Sequence, residues 1–160
     1  MRLTTRTNLA IRTLMFCAVN AHIVVRKSDI AAAYNASENH LGQVIRILGQ
    51  HDLIATIRGR HGGLQLMRAP ADINIGSVFR LFEADVPFAE CFSPANTCPL
   101  VQACRLRNAI RDAVEAFYAS LDKVRLSDLV ECNDRLTALL HFPAAQVCTL
   151  PRRNSRLPSR

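Results

Sequence analysis

The first seventy residues alternate between apolar stripes of helical period and short polar breaks. Over residues 5–20, Leu9, Ile11, Leu14, Met15, Ala18 and Val19 form a broad apolar stripe with Arg6 and Arg12 off it, which predicts an amphipathic helix. Residues 23–26 (Ile-Val-Val-Arg) are a short β-prone piece. Ser28 then caps a second predicted helix over 29–34, with an acid in its first turn. Asn35 and Ala36 make a turn, and Ser37 caps a third helix from 38 to about 50. In that helix Leu41, Val44, Ile45 and Leu48 recur at i, i+3, i+4 and i+7, leaving Asn39, His40, Gln43 and Arg46 off the apolar face. Residues 53–57 and 64–67 read as two strands joined by Arg58-Gly59-Arg60-His61-Gly62-Gly63, a turn whose glycines admit positive φ and a close approach.

After Pro70 the chain reads as a linker, and a helix opens at Asn74 or Ile75 with Val78, Phe79, Leu81 and Phe82 apolar. Residues 83–97 are a loop. A long amphipathic helix is predicted from about Pro99, a favourable residue for a first turn, to about Leu121. Val101, Cys104, Ile110, Val114, Phe117 and Leu121 broadly line one of its faces. Such a helix outside a small domain must cover its stripe, and a second copy of the chain is the economical partner. Ser127 caps a short helix over 128–133, and residues 151–160 hold Arg, Pro and Ser with almost no apolar content, so disorder is expected there. The predicted fold is mainly α with a small β-hairpin. Two short helices and a basic-tipped hairpin make a winged helix-turn-helix over 1–70. The cysteine-bearing loop and long dimerisation helix occupy 71–142, and a basic tail occupies 143–160.

Charge sharpens this picture. The net +7 of the 160 residues is unevenly distributed. Residues 1–68 carry nine basic and three acidic side chains (+6), 69–150 carry −3, and the last ten residues carry +4. The half with the predicted recognition helix and hairpin is therefore the one suited to a polyanion. Arg pairs with guanine edges and Asn or Gln with adenine, which gives Asn39, Gln43 and Arg46 a chemistry beyond solvation. Arg58, Arg60 and His61 make a cationic tip suited to a narrow minor groove. The glycine-rich turn lacks the Gly-Lys-Ser/Thr ending of a nucleotide-phosphate loop and no helix follows it directly. No run approaches the length of a membrane span, and Arg12 interrupts the stretch that mimics a signal peptide, so a cytoplasmic chain is expected. No acid–base pair stands beside a nucleophile, so an enzyme is not expected.

Six cysteines in a reducing compartment call for an explanation other than disulfides. Cys91, Cys98 and Cys104 fall within 14 residues, and Ser93, Pro94, Asn96 and Thr97 fill the first interval. A loop of this kind can turn three thiolates toward one centre. An iron–sulfur cluster, a zinc ion completed by histidine, or a metal-free thiol switch would all use it. Cys17 and Cys132 sit in helical patterns and are expected in the core, whereas Cys148, near the tail, is expected to be exposed.

The opening Met1-Arg2-Leu3-Thr4-Thr5-Arg6-Thr7-Asn8, the hairpin Arg58–Gly63 and the three-cysteine loop before a long helix together resemble the Rrf-two family, over roughly residues 1–142. The start is most similar to its rhizobial iron-responsive members, then to its nitric-oxide-sensing repressors, with cluster-biogenesis regulators more distant. The resemblance implies a dimeric DNA-binding transcriptional regulator, a repressor, reading a pseudo-palindromic operator. An iron–sulfur electron-transfer or carrier protein is the reading from another class. The family pattern places Ser37, Asn39, His40, Gln43 and Arg46 in the major groove and Arg58, Arg60 and His61 in the minor groove. It places Arg2 and Thr4 on phosphates. It also makes Cys91, Cys98 and Cys104 cluster ligands. Relatives supply the fourth ligand as an aspartate where this chain has Asn8, or a histidine where it has Arg107. Both are absent, which implies a 4Fe–4S cluster with a non-cysteine or open fourth position, held by water, a small anion or another group.

Overall fold

Helix α1 (Thr5–Val19) runs through the middle of the molecule. In this computed structural model residues 3–83 and 87–141 are described; Arg2, Cys148 and the predicted basic tail lie outside the described residues. The apolar stripe read from the sequence understates the burial of α1. Leu9, Ala10, Leu14, Phe16 and Cys17 are buried, and Ile11, Met15, Ala18 and Val19 pack half-buried against the same core. Polar atoms carried inside find partners within the protein. The Thr13 hydroxyl donates to the Leu9 carbonyl at 2.7 Å, and Asn20 donates from its amide to the Phe16 and Leu140 carbonyls, both at 2.9 Å.

Helix α2 (Lys27–Tyr34) begins two residues before its predicted start. Ser28 is not its cap. The Asp29 carboxylate reaches back and accepts from the Arg26 amide at 3.2 Å, which satisfies a donor that the first turn leaves free. The helix ends at Asn35 with φ 47°, a left-handed conformation that asparagine tolerates. Helix α3 (Glu38–Gln50) follows with Ser37 at its N-cap, and Leu41, Val44, Ile45 and Leu48 are all buried, as their spacing predicts. Strands β1 (Ile54–Ile57) and β2 (Gly63–Leu66) pair antiparallel, with Ile54 opposite Leu66 and Ile57 opposite Gly63. The β-prone piece before α2 contributes one residue to this sheet, because Val25 bridges Leu64 through hydrogen bonds of 2.7 and 3.1 Å.

A 3-10 turn at Pro70–Asp72 leads into α4 (Ile75–Glu83). Helix α5 (Arg105–Leu121) starts six residues after the predicted point. Pro99 opens turns rather than the helix: Val101 donates to the Cys98 carbonyl and Ala103 to the Leu100 carbonyl. Cys104 becomes the N-cap instead of a helical residue. Helix α6 (Leu126–Val130) is also displaced from its prediction. Ser127 is buried inside it, and Asp128 accepts from the Arg125 amide at 2.8 Å, repeating the Asp29 device. Helix α7 (Asp134–Leu140), unanticipated in sequence, is capped by the Asn133 side chain. One apolar cluster runs from Leu9 to Leu140 and takes buried residues from α1–α4, both strands, α6 and α7; α5 packs on α4, with Leu121 at its end against the cluster.

Gly63 allows the sheet to form. A Cβ there would stand 2.3 Å from the Val25 carbonyl oxygen, a backbone atom that cannot swing away. Gly63→Ala is expected to destabilise the protein by about 1–3 kcal/mol, read as a lower urea midpoint with unchanged slope. A midpoint equal to that of the unsubstituted chain would remove this role.

Candidate functional site

Four of the five side chains predicted for the major groove lie on the solvent face of α3. Asn39, His40, Gln43 and Arg46 are exposed there, and Ser37 is exposed at the cap. The buried row on the opposite face fixes their direction. The acid on this helix, Glu38, is paired to Lys27 at 3.1 Å. At the hairpin tip Arg58, Arg60 and His61 are exposed, and Gly59 with φ 107° carries the turn between the two arginines. Among the described residues none of these three makes a hydrogen bond or ion pair.

Thr4 is occupied in a way that the sequence did not announce. It is the N-cap of α1 and accepts from the Thr7 amide at 3.2 Å. Its amide and its hydroxyl each donate to one carboxylate oxygen of Glu83, both at 3.0 Å, and the buried Thr7 hydroxyl donates to the same oxygen. Glu83 ends α4, eight residues before Cys91. The start of α1, which borders His40 and Gln43 across a shared surface pocket, is thus tied to the segment that leads into the cysteine loop. A threonine hydroxyl inside an apolar stripe was the available hint, but nothing local names a partner 76 residues away.

Cys91, Cys98 and Cys104 are free thiols of intermediate exposure. Cys91 lies in a 3-10 turn, Glu90–Phe92. Cys98 follows a turn in which Asn96 accepts from its amide at 2.9 Å, and Thr97 donates to Glu90 at 3.1 Å. The Cys104 sulfur accepts from the Arg107 amide at 3.4 Å, at the positive end of the α5 dipole. Arg107 also donates from Nε to the Cys91 carbonyl at 3.1 Å and lays its guanidinium over the Phe92 ring. By type, three thiols on one loop fit an iron–sulfur cluster. The structure places them on one loop but does not converge them. Among the described residues no three His, Cys, Asp or Glu side chains are grouped so as to hold a metal ion.

Helix α5 buries none of its seventeen residues. Its C-terminal half is anchored to α4. Phe117 meets Phe79 edge-to-face at 6.0 Å, Arg80 grips both Asp122 oxygens at 2.5 and 2.7 Å, and the Arg80 guanidinium lies 4.6 Å over the Tyr118 ring. The bidentate bond holds the Asp122 carboxyl below its ordinary range. In the other half Leu106 is about two-thirds exposed, as is Leu100 in the turns before the helix.

The model of the Rrf2 family, described as iron-dependent transcriptional regulators, matches residues 3–132. The chain belongs to the Rrf2 family. Among its relatives, the HTH-type transcriptional regulator NsrR of Geobacillus kaustophilus is 43% identical over 142 residues, covering 88% of this chain and 97% of that one. Protein aau3 of Rhizobium meliloti is 39% identical, covering 88% and 92%. In fold the chain is similar to CymR, the global cysteine regulator of B. subtilis, with a TM-score of 0.62, 25% identity, and coverage of 81% and 96%. T. potens IscR has the same TM-score at 24% identity, covering 81% of this chain and 85% of that chain. The Rrf2 chain is therefore a DNA-binding transcriptional regulator with a winged helix-turn-helix fold, as its residues predict. Among the described residues no helix is long and apolar enough to cross a membrane.

The remaining cysteines of this Rrf2 regulator divide differently from expectation. Cys17 is in the core, and burial pushes its thiol up to about 12. Cys132, expected in the core, is exposed. It sits at φ 53° between α6 and α7, where the chain turns and no apolar face forms. Native-state alkylation at pH 8 followed by peptide mass spectrometry is expected to label Cys132 and spare Cys17; rapid labelling of Cys17 would contradict its placement. Glu83→Ala removes the oxygen that accepts from the Thr4 amide, the Thr4 hydroxyl and the buried Thr7 hydroxyl, and is expected to cost about 1–3 kcal/mol in chemical unfolding.

Proposed function

We propose that this Rrf2 regulator is a cytoplasmic homodimeric repressor whose affinity for a pseudo-palindromic operator is controlled by an iron–sulfur cluster on Cys91, Cys98 and Cys104. The observation that carries this reading is the set of three free, half-buried thiols on the loop that caps α5. Bound there, a cluster would supply a centre sensitive to iron supply, oxygen and nitric oxide. The reading that it reports iron or cluster status follows the resemblance to rhizobial iron-responsive members. Response to nitric oxide is the alternative within the same family.

The cluster is proposed as 4Fe–4S with a fourth position not held by a cysteine. Arg107 has no lone pair to offer a metal, and its side chain is already committed to Cys91 and Phe92. Asn8, exposed on α1, is a neutral and weak donor. Ser37, Asn39, His40, Gln43 and Arg46 are assigned to base edges and phosphates in the major groove, and Arg58, Arg60 and His61 to the minor groove. Arg2 is assigned to a phosphate. Thr4 is assigned there through the placement of the α1 terminus, since its hydroxyl is engaged with Glu83. The uncovered face of α5 is the proposed dimer seam. On this reading residues 1–70 form the DNA-binding unit and 71–142 the cluster and dimer unit.

Two measurements test the proposal. Anaerobic purification with iron and sulfide counts, followed by operator binding before and after chelation and after nitric oxide, should show affinity tracking the cluster. Iron present with affinity unmoved by every treatment would sink the control mechanism. Arg60→Ala should weaken binding and reduce the slope of log affinity against log salt by about one, the signature of one lost phosphate-proximal cation. An unchanged slope would remove Arg60 from the DNA face.

A further inference from the structure

Arg107 stands out because its backbone and its side chain serve different cysteines. Its amide donates to the Cys104 sulfur at 3.4 Å, closing the first turn of α5. Its Nε donates to the Cys91 carbonyl at 3.1 Å, sixteen residues back in the chain. The guanidinium plane lies over Phe92, 5.4 Å from the ring centroid. These contacts hold the side chain from two directions, one by a directional hydrogen bond and one by stacking on an aromatic face. The loop between them has little else to fix it. Phe88, Pro94, Ala95, Thr97, Pro99 and Leu100 are exposed, and no residue of 87–104 is buried.

We propose that Arg107 is the positioning residue of the cysteine loop: it joins the first and third cysteines into one frame before any cluster is present. This inference rests on the cluster reading above and deepens it. The middle cysteine is held by a separate device, the Asn96 turn with Thr97 on Glu90, so Arg107 ties together the two ends of the loop and not its middle. Closing a loop of this length costs chain entropy that an unpinned loop would meet on loading. A planar guanidinium suits the task better than an ammonium, because only the former can stack on Phe92 while Nε points at a carbonyl. Its positive charge also lies beside a centre that is anionic when thiolates bind it.

The test uses the full chain as wild type, Arg107→Gln and Arg107→Lys. In the cluster-free proteins, hydrogen exchange followed by mass spectrometry reads the 3-10 turn, where Phe92 donates to Ala89 and Ser93 to Glu90. Arg107→Gln should speed exchange over residues 89–93 and leave α1 unchanged. After anaerobic loading with ferrous iron and sulfide, release of iron to a chelator should be about 10- to 100-fold faster in Arg107→Gln, the usual effect of losing a group that orients a ligand. The visible circular dichroism of the loaded protein should change as well. Arg107→Lys should rescue release in part and exchange hardly at all. Exchange over 89–93 equal to wild type, or a release rate within about twofold of it, would overturn the proposal. A wild type that takes up no iron or sulfide would instead overturn the cluster reading, and the positioning role with it.

Discussion

Helix α1 is surrounded, and that single fact sets the terms for the other elements. A helix buried on several sides cannot leave its hydroxyls and amides to water, so each must find a partner within the protein. Thr13 finds one in its own helix, and Asn20 joins the end of α1 to the end of α7. Thr7 and the N-cap Thr4 find theirs in Glu83, the last residue of α4. Satisfying the buried start of α1 therefore also fixes where α4 ends, and with it where the cysteine loop begins. A packing requirement in the core becomes a mechanical connection between the helix-turn-helix and the loop.

The arrangement of α5 is the opposite. It has an amphipathic sequence and no buried residue; its C-terminal end meets α4 through Phe117, Tyr118 and Asp122, and among the described residues its N-terminal half meets only the cysteine loop, through Arg107. Seventeen residues held at one end gain little from intrinsic propensity, since most helix stability in proteins comes from covering an apolar face. The exposed Leu106 and the half-exposed Ile110 and Val114 continue the line begun by Phe117. A second copy covering that line would stabilise the helix and hold the Cys104 cap in place, so the proposed dimer and the proposed cluster site support each other.

What could be read from the sequence was what repeats locally. The row Leu41, Val44, Ile45 and Leu48 is a periodic signal, and it set both the burial of α3 and the direction of its polar face. The left-handed turn at Asn35 and the hairpin glycines were legible because few residues adopt those backbones. Boundaries were less legible. Ser28 and Ser127 look like caps, yet acids one residue further on do the capping from inside the helix. Pro99 is compatible with a first helical turn and equally with the turns that form there. Cys132 falls in a helical pattern that points to the core, although its position between two short helices offers no apolar face. The Glu83 and Arg107 contacts depend on chain segments meeting in space, and no local pattern encodes them.

These differences bear on where control can act. The proposed DNA face is built on the best-buried part of the molecule: the α3 row is in the core, and the wing is pinned by Val25 and Gly63. Its cations are left uncommitted, so binding a polyanion would require little rearrangement of the face itself. The cysteine loop has no buried residue and is held by single hydrogen bonds at Arg107, Asn96 and Thr97. A ligand that orders or loosens this loop works on a segment that buries no side chain, where small free energies shift populations readily. The consequence reaches DNA only through elements that touch both regions. Among the described residues Glu83 is the side chain that reaches from the helix entering the loop to the start of α1. The proposed DNA face and the proposed sensing loop are thus joined at the carboxylate that the burial of α1 requires.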